Sequence, residues 1–206
     1  MFKNRIDAGT QLSKRLLKFK KENVVILAIP RGGLPIGAII AKALNAPLDV
    51  ALSKKIGHPL HSEYAIGAVN LEDVILTDTV GIKQEYIDQE VDTIRTKLKE
   101  LHQQYYNNRK PLNLKDKTVI IVDDGIATGN TIFATIALKS KEKPEKIIVA
   151  VPVAPSSAIR KLKNHPRVDE VICLLEPFYF KAVGQFYEVF DQVSNKDAIG
   201  FYSINY

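Results

Sequence analysis

The stretch VIIVDDGIATGNT, Val119 to Thr131, constrains this chain more than any other. Four branched apolar residues end on two adjacent carboxylates, and the chain runs at once into a loop of Gly, Thr and Asn. Asp124-Gly125 alone is a common two-residue hairpin signal. The next residues argue otherwise: in NTIFATIALKSK, Ile132, Ile136 and Leu138 fall near helical rather than alternating spacing, so the acids end a strand and the loop opens a helix. The first N–H groups of a helix lack partners within it, and the helix dipole puts partial positive charge at the same end. Gly125 and Gly129 let the chain curl so that successive N–H groups converge on one anion, while Thr128 and Thr131 add hydroxyl donors. The segment reads as a phosphate cradle. Asn130 stands where a Walker A loop needs Lys, and no GxGxxG follows a strand, so neither of those nucleotide fingerprints applies. Two carboxylates beside a phosphate repel it unless they face hydroxyls or a bound cation. A sugar phosphate with a vicinal diol meets that condition, with the diol on Asp123 and Asp124.

Further apolar runs read as strands: VVILAIP (24–30), DVALS (49–53), AIGAV (65–69), VILT (74–77), TVIIV (118–122), KIIVAVPV (146–153) and EVICLL (170–175). Helical patterns cover about 7–20, the stretch from the RGG turn to Asn45, and about 83–108, 129–141 and 155–164. Strands alternating with helices give an α/β domain, a mostly parallel twisted sheet flanked by helices. In such sheets ligands bind beyond the carboxyl ends of the strands, at a topological switch point. Three of those ends are unusual: 24–30 ends in PRGG, 49–53 runs into KKIG, and 118–122 ends in DDG. If the three strands are neighbours, Arg31, Lys54 and Lys55 share one rim with the cradle, which suits a ligand carrying phosphate at two separated places. Gly32 and Gly33 either let N–H groups approach an anion closely or make a tight strand-helix turn.

With 206 residues and no Gly/Ser/Pro-rich linker, the chain reads as one domain over 1–206, elaborated by a helical insertion at about 83–110 and a tail at about 176–206. Its 29 basic and 23 acidic residues leave a net charge of +6, which favours anionic partners. Zinc-finger spacing, an RNP-like aromatic run and a long basic tract are all missing, so a polyphosphate metabolite is preferred over nucleic acid. The apolar runs are too short for a membrane span, and MFKNRIDAG lacks the core of a signal peptide. The expectation is a soluble, cytoplasmic protein with no membrane partner. Cys173, the single cysteine, sits in VICLL and reads as a small buried hydrophobe.

The insertion places Ile87, Val91, Ile94, Leu98, Leu101 and Tyr105 at alternating four and three spacing. A seam this narrow packs on one partner, either the domain's own edge or, in a homodimer, a second subunit. The tail carries Phe178, Tyr179, Phe180, Phe186, Tyr187 and Phe190. These aromatics either stack a planar base or form a small core that ties the tail down.

PRGGLPIG, KKIGHPLHSEYAIGAV, VIIVDDGIATGNT, VAVPVA and AVGQFYEVFDQVS together resemble a type I phosphoribosyltransferase over nearly the full length. Four aliphatics, two acids, three variable residues and Thr-Gly-Asn-Thr match that family's motif for 5-phosphoribosyl-1-pyrophosphate (PRPP) at each defining position. The chain is similar to a bacterial subgroup of predicted phosphoribosyltransferases with no assigned acceptor. The resemblance implies the type I fold with a C-terminal hood over the acceptor. It implies that Asp123 and Asp124 hold the ribose hydroxyls, and that Gly125, Ile126, Ala127, Thr128, Gly129, Asn130 and Thr131 hold the 5-phosphate. Arg31, Gly32 and Gly33 would form the pyrophosphate loop, with Lys54 or Lys55 reaching pyrophosphate from the neighbouring strand. Mg2+ is the implied cofactor, held mainly by ligand oxygens and also by Asp123 and Asp124. The implied reaction transfers the phosphoribosyl group from PRPP to a nitrogen nucleophile, a nucleobase by family precedent, in nucleotide metabolism. A mobile loop is expected at 57–64, and Glu63, Tyr64, Phe178 and Phe180 are the acceptor-site candidates. The alternative is a non-catalytic PRPP sensor that binds nucleic acid or protein, because some relatives of this fold are regulators.

Overall fold

A computed structural model describes residues 1–62, 64–107 and 109–203. Its centre is a parallel five-stranded sheet built from β1 (Val24–Ala28), β2 (Leu48–Val50), β6 (Thr118–Val122), β7 (Lys146–Val153) and β8 (Glu170–Leu175), in the order β2-β1-β6-β7-β8. Every strand pair in it is parallel. The continuous apolar runs follow from burial on both faces. Along β1 and β6, Val24, Ile26, Ala28, Ile120 and Val122 enter one core, and Val25, Leu27, Val119 and Ile121 enter the other. The first core is closed by α1 (Arg5–Leu16), α2 (Gly33–Leu44), α3 (Gln84–Tyr106) and α6 (Asn195–Ser203), through residues such as Leu12, Ile36, Leu98 and Tyr202. The second is closed by α4 (Asn130–Lys139) and α5 (Ser156–Lys163), through Ile132, Ile136, Ile159 and Leu162. Among the described residues no helix is long and apolar enough to cross a membrane.

Three expectations need correction. The strand read over 49–53 ends at Val50, and KKIG is a strand of its own, β3 (Lys54–Gly57). β3 joins β4 (Ala65–Val69) and β5 (Val74–Leu76) in a separate antiparallel sheet in the order β3-β4-β5. The physical reason is connection length, since strands joined without a crossover helix can pair only antiparallel. Finally, α6 was not anticipated, although its start carries a signal: Ser194 Oγ accepts the Asp197 N–H at 3.1 Å, a Ser-x-x-Asp cap.

The seam of α3 is spent on the molecule's own core. Ile87, Val91, Ile94, Leu98 and Tyr105 are buried there, and Leu101 packs against it partly covered. The far end of the helix is moored to the sheet by Asp49 on β2. The Asp49 carboxylate accepts the Tyr106 hydroxyl at 2.5 Å and the N–H groups of Val50 and Leu112 at 2.8 Å each. Burial raises its pKa, against the pull of these donors. Ile87→Ala is expected to lower the unfolding free energy by about 2–5 kcal/mol through the cavity it leaves, read from a guanidinium titration followed by circular dichroism.

Candidate functional site

The sheet order makes β1 and β6 neighbours, so the ends PRGG and DDG share one rim, and Lys54 and Lys55 of the second sheet line a cavity with Arg31. Two loops meet there. After β1, Ile29 stays paired with β6 through its N–H to the Val122 carbonyl at 2.8 Å. The chain then turns through Pro30, whose peptide bond to Arg31 is cis, and enters α2. After β6 the acids begin at once, with the Asp124 N–H on Asp123 Oδ1 at 2.9 Å.

The two glycines of the β1 turn are required by this meeting. A Cβ on Gly33 would lie 2.6 Å from the Val122 carbonyl oxygen, and one on Gly32 would lie 2.0 Å from Asp124 Oδ2. At Gly33 the turn thus abuts the acidic loop backbone to backbone, and at Gly32 it lies against the Asp124 carboxylate. Gly129 takes a left-handed φ of 84° and launches α4, with Asn130 and Thr131 in its first turn. Ala127, Thr128 and Thr131 are exposed on the loop, while Gly125 and Ile126 are buried. The Ile126 N–H is committed to the Val153 carbonyl at 2.9 Å, so that donor serves the end of β7.

Two cavities flank the Arg31 turn. One, of about 490 Å³, has Arg31, Ser53, Lys54, Lys55 and Thr131 on its walls, with Leu98, Leu101 and Tyr105 of α3 opposite. The other, of about 460 Å³, is bounded by Arg5, Arg31, Gly32 and Asp124, and by Val183, Phe190, Gln192 and Val193 of the tail. Lys54 and Lys55 reach the first from β3, so the cation expected from the neighbouring strand comes from the second sheet. Arg31 Nη1 lies 3.5 Å from Asn195 Oδ1 of α6.

Of the acceptor candidates, Tyr64 is exposed and donates its hydroxyl to Asp78 at 2.6 Å. Phe178 is 91% exposed and meets only Tyr179 edge to face among the described aromatic contacts, at 4.9 Å. Phe180 stacks on Phe186 at 5.4 Å. None of the three lines either cavity flanking Arg31. Glu63 lies outside the described residues. The other tail aromatics tie the segment down: Tyr187 is buried, stacks near Phe2 and Phe190, and donates its hydroxyl to the Asp124 carbonyl at 2.6 Å.

Sequence reasoning missed Arg5 and Asn195 at the rim, and had Tyr187 only as one of the tail aromatics. Arg5 opens α1, where a basic residue reads as solvated. Instead its Nε and Nη2 both lie 2.8 Å from Asp124 Oδ2.

Burial and the neighbouring charge of Asp124 hold the Asp123 carboxyl well above the usual carboxylate range. Burial also raises Asp124, opposed by the Arg5 guanidinium. A buried acid with a raised pKa binds its proton more readily in the folded chain than in the unfolded one. Its contribution to stability is therefore present at low pH and falls as pH rises from the unfolded value near 3.8. Asp123→Asn is accordingly expected to melt above the native protein at pH 7. The difference should shrink toward pH 4, as followed by scanning calorimetry across that range.

Residues 3–182 match the family model described as a phosphoribosyl transferase domain. Proteins of two Mycobacterium tuberculosis strains, provisionally named phosphoribosyl transferases, are 36% identical over 207 residues, covering 98% of this chain and 46% of theirs. The chain thus spans about half the length of these curated relatives. A Mycoplasma genitalium uracil phosphoribosyltransferase is 35% identical over 72 residues, covering 34% of this chain and 35% of its own. Among solved structures, that of the Thermus thermophilus protein TT1426 superposes with a TM-score of 0.91 at 33% identity, covering 100% of this chain and 99% of the other.

Proposed function

The chain belongs to the phosphoribosyl transferase family, and on that premise we propose that it moves the 5-phosphoribosyl group from PRPP to a nitrogen nucleophile, with release of pyrophosphate. The observation that carries this is the strand order β2-β1-β6, which brings the Arg31 turn and the Asp123–Thr131 loop side by side, with Lys54 and Lys55 on the wall of the same cavity. A donor with phosphate at both ends of a ribose needs those stations in that order. The 5-phosphate takes the exposed start of α4, where Thr128 and Thr131 offer hydroxyls beside the first N–H groups of the helix. The ribose hydroxyls take Asp123 and Asp124. Pyrophosphate takes the turn of Arg31, Gly32 and Gly33, facing Lys54 and Lys55.

The bond from the anomeric carbon to pyrophosphate breaks as the bond to nitrogen forms, through a state with oxocarbenium character. Arg31 and the two lysines accept charge developing on the leaving oxygens. The two carboxylates lie near the positive sugar and accept from its hydroxyls. No group is assigned as general base. Two adjacent carboxylates, one tied to Arg5, suit Mg2+ bound chiefly through ligand oxygens. When bound, the ion supplies charge neutralisation to the departing pyrophosphate. The local likeness to a uracil phosphoribosyltransferase supports a nucleobase as the acceptor class, and the +6 charge suits so anionic a donor. The setting we infer is cytoplasmic nucleotide metabolism.

The test is pyrophosphate release from PRPP with Mg2+ across a panel of nucleobases and simple amines, uracil first, against a control without acceptor. Release that needs one acceptor is expected, and Asp124→Asn should lower it by about two orders of magnitude or more. PRPP that binds by calorimetry yet releases nothing with any acceptor would overturn transfer.

A further inference from the structure

Arg5 stands on the far side of the Arg31 turn from Lys54 and Lys55, with its guanidinium largely removed from water. Side-chain exposure is 12% for Arg5 and 15% for Asp124. Nε and Nη2 both lie 2.8 Å from Oδ2 of Asp124, so neither takes Oδ1. Nη1 donates to the Asp191 carbonyl at 2.7 Å, and the guanidinium carbon sits 3.9 Å over the Phe190 ring. From the other side the backbone of Gly32 closes on the same Oδ2, where a Cβ would lie 2.0 Å away. The carboxylate is therefore gripped by one oxygen between two elements, and its orientation is fixed.

Stability alone does not account for such a pair. A buried ion pair of this kind is often no better than apolar residues of similar volume, because both charges lose their water. Neither does attraction for an anionic ligand, since the donors of Arg5 point at a carboxylate and at a backbone carbonyl. What the arrangement does accomplish is to hold an acid in one rotamer, with Oδ2 turned to Arg5.

We propose that Arg5 is the positioning residue of the ribose clamp. It fixes Asp124 by Oδ2 so that Oδ1 meets the ribose hydroxyls, and through Asp191 and Phe190 it makes the tail part of the same clamp. This rests on the assignment of Asp124 to the ribose diol. Its signature is selectivity among ligands: weakening Arg5 harms a ligand that carries ribose and spares one that does not.

The experiment compares native protein, Arg5→Met and Arg5→Lys by calorimetry with Mg2+ and either PRPP or inorganic pyrophosphate, after circular dichroism melts show which variants fold. Arg5→Met keeps the length of the apolar stem, and it is expected to bind PRPP about tenfold more weakly, the equivalent of one lost charge-assisted contact, with pyrophosphate affinity held within about twofold. Arg5→Lys keeps the charge but not the two-donor fork, so its PRPP affinity should lie between the two, and it carries the test if the Met variant does not fold. Equal losses for both ligands would make Arg5 a general structural or electrostatic support and overturn the proposal. Tighter PRPP binding by Arg5→Met would overturn it too, by making Arg5 a plug that ribose must displace. Native protein that binds pyrophosphate but not PRPP would instead sink the assignment of Asp124 to the diol, and the proposal with it.

Discussion

The closeness of the β1 turn to the β6 loop governs the rest of the rim. A Cβ on Gly33 would lie 2.6 Å from the backbone of β6, and one on Gly32 would lie 2.0 Å from the Asp124 carboxylate. This fixes where Arg31 projects, because the residue before two such glycines cannot shift without moving β6. It also fixes Asp124, whose carboxylate lies against Gly32 on one side and Arg5 on the other. The parallel pairing of β1 with β6, running from Val24 with Thr118 to Ala28 with Val122, holds both loops at the same height. Cations and acids thus stand on one edge without being adjacent in the chain, and neither loop is positioned by itself.

Much of this was legible in the residues. The parallel sheet showed in runs buried on both faces, and the strand-loop-helix at Asp123 to Thr131 showed in the change of period after Gly129. The seam of α3 was readable from its spacing, though not which surface it covers. The structure puts it on the core, with Tyr106 moored on Asp49. The split of the strands into two sheets was hidden because each short run looks alike until connection lengths are weighed: β3, β4 and β5 follow one another with no helix between them.

The tail was the part least open to prediction, for a physical reason. Its aromatics have no fixed period, so their partners depend on tertiary placement alone. Tyr187 lies under the acidic loop, Phe180 stacks on Phe186, and Phe178 stays in solvent. Arg5 was equally opaque, since its partner stands 119 residues further along. A charged residue at a helix start has a solvated interpretation that only a long-range contact can displace.

The first residues of the chain are laid beside its tail. The Phe2 N–H donates to the Phe186 carbonyl at 2.8 Å and the Glu188 N–H returns to the Phe2 carbonyl at the same distance, a single bridge spanning almost the whole sequence. Contacts of such separation are the slowest to gain and come after the local ones. The guanidinium of Arg5 has its full set of neighbours only when Asp191 and Phe190 are in place. Until those contacts close, the partner of Asp124 lacks two of the groups that hold it.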